Sequence, residues 1–108
     1  MDNFKVIYKI LKYLEEAMDY EAPDMGPISA EQLRVSHERW CALLLLMQEE
    51  GYISGLQFTQ TMSDRKPRLV EPVRPSITLK GLEYLTENGM MRKTERFIKG
   101  IKDTAPGL

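Results

Sequence analysis

The chain has 108 residues, 43% hydrophobic and 29% charged, with a formal net charge of −1. That suits one domain with a single core needing neither disulfide nor metal, and it argues against a disordered chain. The apolar run Cys41 to Met47 is far short of a membrane span, and one cysteine excludes an internal disulfide.

The first residues lack the layout of a secretory signal, so a cytoplasmic protein is the expectation. Charge is unevenly placed. Residues 1–50 hold five Lys/Arg against ten Asp/Glu, whereas residues 51–108 hold ten against six. An anionic partner should therefore meet the C-terminal half.

Asp2 or Asn3 can cap a first helix running to about Tyr20, with Phe4, Ile7, Leu11, Leu14 and Met18 at helical spacing and Ile10 beside them. Lys5, Lys9 and Lys12 form a stripe on another face, read as solvated or as a phosphate-contacting edge. The prolines and glycine of residues 22–27 end that helix in a loop. Ser29 and Gln32 then have capping-box spacing for a short helix over Ala30 to Arg34, with Ile28 available to pair with a strand.

Ser36 opens a long helix and Gly51 closes it, with neither proline nor glycine between. Trp40, Leu43, Leu44 and Met47 share one face. Leu45 and Leu46 fall away from it, so the helix is apolar over more than half its girth and belongs to the core. The short connection between these two helices predicts a helix-turn-helix.

Beyond Gly51, residues 53–61 alternate as a half-buried strand, with Gly55 marking a bulge. Residues 62–70 read as a basic loop without periodicity, and Val73, Pro75 and Ile77 as an edge strand or irregular extended chain. Together they predict a hairpin with a long basic tip. Thr78 caps the next helix, which turns Leu79, Leu82 and Leu85 inward and ends near Asn88 and Gly89. Gly81 in its first turn signals close backbone packing. Met90 to Lys102 predicts a last helix with Met91, Thr94, Phe97, Ile98 and Ile101 on one side.

The expectation is an α+β winged helix-turn-helix: a three-helix core, a β-hairpin wing and C-terminal helices. It forms one domain over residues 1–103, with residues 104–108 as a frayed tail. The Ile77–Leu85 string resembles the "T-x-K-G" passage from a wing into the following helix in many bacterial winged-helix regulators. With Glu87, Asn88, Met90, Met91, Arg92 and Lys93, it resembles the YjcQ-like family, small winged-helix proteins of Gram-positive bacteria and their phages. The resemblance implies the fold and a prophage context, and carries no catalytic residues.

Enzymatic machinery is not expected. His37 and Cys41 share a helix face but supply only two metal ligands, and no phosphate-cradling glycine loop or nucleophile elbow is present. No cofactor and no metal are therefore expected, nor any membrane association.

Double-stranded DNA is the partner the fold suggests. The outward stripe of the long helix, Glu38, Ala42, Leu45 and Glu49, offers neither the cation that reads guanine nor the amide that reads adenine. His37 and Arg39 flank it. Arg65, Lys66, Arg68 and Arg74 supply the phosphate contacts, so a regulator that holds DNA through its wing is expected. The alternative is a protein-interaction module or homodimer, joined through Leu45 and Leu46 or through Met91, Phe97 and Ile98.

Overall fold

The computed structural model describes residues 2–100, with side chains for residues 2–89. Helix α1 (Asn3–Ala17) is followed by a 3₁₀ turn (Gly26–Ile28), α2 (Ala30–Leu33) and α3 (His37–Glu49). Strands β1 (Ile53–Ser54), β2 (Phe58–Thr59), β3 (Arg68–Leu69) and β4 (Ser76–Ile77) form the wing, and α4 (Leu79–Gly100) closes the order. This is an α+β architecture in the winged helix-turn-helix layout. The expected tail, residues 104–108, lies outside the described residues, as does the end of the last helix at Lys102.

The caps act as their chemistry dictates. Asp2 accepts from the Phe4 N–H, Ser29 from Gln32 and Ser36 from Arg39, each satisfying a donor that the first helical turn leaves without a partner. Gly51 leaves α3 at φ 87°. Between α2 and α3 the left-handed position is taken by Arg34 at φ 61°, where an L side chain carries a strain of about 1 kcal/mol.

Trp40, Leu43, Leu44 and Met47 are all buried, against Val6, Ile10, Leu11 and Leu14 of α1 and Ile28, Leu33, Ile53, Leu56 and Leu85. The inner face of α1 is rotated from its predicted position. Val6 and Ala17 are buried, whereas Phe4 and Met18 stand 69% and 62% exposed. Phe4 lies about 100° around the helix from the Ile10–Leu14 face, and Met18 is already the C-cap.

Ile28 pairs with no strand. It sits in the 3₁₀ turn, and its carbonyl accepts the indole N–H of Trp40 at 2.8 Å.

The strand predicted over residues 53–61 is broken in two. Ile53 and Ser54 pair antiparallel with Ile77 and Ser76, and Phe58 and Thr59 with Leu69 and Arg68. Gly55, at φ 94°, turns the chain between the two ladders. Gln48 of α3 stabilises that turn, since its amide accepts from Leu56 N–H at 2.9 Å and donates to Leu56 C=O at 3.0 Å. Arg68 and Leu69, expected in the loop, are strand residues because they complete this outer ladder.

Gln48→Leu keeps most of the volume and leaves both Leu56 groups without that partner. It is expected to lower stability by about 2 kcal/mol in a urea titration followed by circular dichroism. An unchanged midpoint would show that the turn is held without Gln48.

At the wing exit, the Thr78 hydroxyl donates to Gly51 C=O and accepts from Gly81 N–H, joining the end of α3 to the start of α4. Gly81 is buried, and a Cβ placed there would stand 2.4 Å from the Tyr52 carbonyl oxygen. Leu79 is consequently 73% exposed rather than inward, because two residues along a helix lie about 200° apart.

Nor does α4 end at Asn88 and Gly89. It runs unbroken to Gly100, with the Asn88 amide donating to Tyr84 C=O within the helix at 2.8 Å. A mid-helix glycine costs only about 1 kcal/mol, which a long helix tolerates where no proline follows.

Candidate nucleic-acid interface

The wing tip is an ordered turn. Asp64 accepts from the Thr61 N–H at 3.0 Å and from its hydroxyl at 3.1 Å, while Asp64 N–H returns a bond to Thr61 C=O. The Thr61 N–H bond is the main effect holding the Asp64 carboxyl below the usual range; desolvation opposes it, and the Thr61 hydroxyl and the Arg68 charge add smaller lowering effects. Arg68 lies 3.8 Å from Asp64 and remains 74% exposed. Arg65 and Lys66 are exposed and in no ion pair among the described residues. The wing therefore presents three guanidinium or ammonium groups, one of them partly balanced by Asp64.

Arg74 does not join them. Its Nη1 donates to Pro23 C=O at 3.3 Å, and it lines a separate hollow beside Met18, Tyr20 and Met25. Arg39 is likewise engaged, its Nη1 donating to Asn3 Oδ1 at 2.7 Å and tying the start of α3 to the start of α1. Of the Lys5, Lys9 and Lys12 stripe, Lys12 pairs with Glu15 at 3.2 Å.

Between α3 and the wing runs a groove of about 460 Å³. Helix α3 contributes His37, Glu38, Cys41, Ala42, Leu45 and Leu46, and the wing contributes Lys66, Pro67, Arg68 and Leu69. Leu45 is half-buried and Leu46 is 53% exposed, so both expected contact residues line this groove. The side chains of Met91, Phe97 and Ile98, the other expected interface, lie outside the described residues.

Cys41 Sγ is 3.4 Å from His37 Nε2, and His37 tilts against Trp40 with ring centroids 5.7 Å apart. Burial, then the Glu38 and Glu71 carboxylates, push the thiol up, so it stays protonated near neutral pH. Among the described residues no three His, Cys, Asp or Glu side chains converge on a metal position.

Sequence reasoning missed Pro67 and Leu69 as the groove's second wall, since alternation across so short a strand is invisible among charged neighbours. Nor does Gln48 offer a free amide towards the groove, since both ends of that amide are committed to Leu56. Among the described residues, no helix is long and apolar enough to cross a membrane.

A helix-turn-helix, a twice-laddered wing with a cationic tip and a helix returning from the wing define a small winged-helix protein. The chain belongs to the YjcQ family, whose model, described as YjcQ protein, matches residues 8–104. It is 33% identical over 103 residues to the uncharacterized protein YjcQ of Bacillus subtilis (strain 168), covering 95% of this chain and 97% of that one. No solved structure matches the chain.

Proposed function

We propose that this protein is a non-enzymatic DNA-binding module, a transcriptional regulator by type, that grips the sugar-phosphate backbone through its wing. The observation carrying this reading is the set of exposed Arg65, Lys66 and Arg68 on a wing tip ordered by Asp64. The α3 face is suited to little base reading, because Gln48 and Arg39 are committed elsewhere and Glu38 repels phosphate. Affinity is accordingly electrostatic and weakly selective for sequence.

Each phosphate contact contributes about −0.9 to the slope of log affinity against log salt, so three predict about −2.7. Between 50 and 200 mM salt, affinity should then fall about fortyfold. Fluorescence anisotropy with a labelled mixed-sequence duplex reads this directly. The triple variant R65A/K66A/R68A should bind more weakly and bring the slope close to zero. Absence of binding at low salt, or a slope the triple variant leaves unchanged, overturns the reading.

A further inference from the structure

We propose that the groove between α3 and the wing is a self-association surface, on which a second copy of this chain seats its own α3 across a two-fold axis. The apolar part of the groove is formed by Cys41, Ala42, Leu45, Leu46, Pro67 and Leu69. Leu46 is 53% exposed at its rim, an arrangement that gains by covering. The charges identify the cover. The α3 wall carries Glu38 and the wing wall carries Lys66 and Arg68, with no ion pair joining the walls among the described residues.

Duplex DNA would bring phosphates against an apolar floor and a carboxylate. A uniformly acidic segment would meet Glu38, and a uniformly basic one would meet Lys66 and Arg68. The surface fits a partner that is itself apolar in the middle, anionic on one side and cationic on the other. A second copy satisfies this without further assumption. A two-fold axis makes each contact occur twice, so Glu38 of each chain faces Lys66 and Arg68 of the other while Leu46 packs near the axis. Any register that brought like charges together would oppose docking, which selects this one.

The cations involved are those assigned above to phosphate, so the two uses exclude each other at one wing. Self-association is measured without DNA, and either reading can therefore fail alone. Sedimentation velocity of the full chain from micromolar to sub-millimolar concentration should show a shift from one chain towards two. Leu46→Glu should abolish the shift, with circular dichroism confirming the fold of this surface variant.

E38K alone and K66E/R68E alone should each weaken association at least tenfold. An equimolar mixture of the two should restore it, since both opposite-charge contacts are then re-formed. A single chain at every concentration, association indifferent to Leu46→Glu, or a mixture no better than its components overturns the proposal.

Discussion

Gly81→Ala is expected to lower stability by about 2 kcal/mol and the thermal midpoint by roughly 10 °C. The added methyl would lie 2.4 Å from the Tyr52 carbonyl oxygen and 2.7 Å from Ile77 Cγ1. The first neighbour is backbone, so it moves only if β1 or α4 moves. Relief of that overlap costs about 3 kcal/mol, while alanine's better helix propensity returns about 1 kcal/mol. The steric term wins.

Thr78 makes the contact harder to relax, because it binds Gly51 on one side and Gly81 on the other. The threonine and glycine of the "T-x-K-G" string are thereby explained together: one caps α4, and the other lets it approach the exit of α3. Thermal melts of the variant and the parent decide the matter. A variant melting at or above the parent would show that α4 does not enter so close to Tyr52.

Trp40→Ala is expected to cost about 4 kcal/mol, a large share of the 5–15 kcal/mol typical of a domain. Trp40 is 92% buried by complement of its 8% exposure, and it joins α3 to the 3₁₀ turn through the bond to Ile28 C=O. Trp40→Phe separates the two contributions. It keeps an aromatic ring but leaves a buried carbonyl without its donor and a cavity where the indole's second ring stood, for a loss of about 2 kcal/mol. Urea titration by far-ultraviolet circular dichroism is the suitable readout, since both variants lack the one tryptophan of the chain. Equal losses in the two variants would mean that ring volume contributes nothing beyond the hydrogen bond. A Phe variant matching the parent would mean that the bond to Ile28 C=O is dispensable.

Much of the helical framework was legible from local chemistry. Ser29 and Ser36 announce their helices because a hydroxyl placed one residue before a helix satisfies a donor there. The Trp40–Met47 face follows from helical periodicity alone, and each of its four members is buried. Errors arose where a residue had two plausible roles. Gly89 resembled a terminator but lies within α4, and Leu79 matched an apolar spacing while Gly81 took the inward place. Residues 62–70 looked aperiodic because a two-residue strand is too short to display alternation.

The candidate site was legible in its charges and not in its arrangement. Arg65, Lys66 and Arg68 were visible as a basic cluster, yet nothing local says that Arg74 turns towards Pro23 or that Arg39 binds Asn3. Those bonds span 51 and 36 residues of chain.

By itself, then, the sequence determined the helix starts, the inner face of α3, the left-handed exit at Gly51 and the excess of cations in the second half. Each depends on neighbours within a turn or two of chain, where side-chain chemistry and backbone geometry meet directly. Only the tertiary structure decided that Gln48 supports the wing, that Gly81 must remain small and that Leu46 borders a groove walled by Pro67 and Leu69. Each of those depends on which distant backbone a residue meets, and that is set by packing of the whole core.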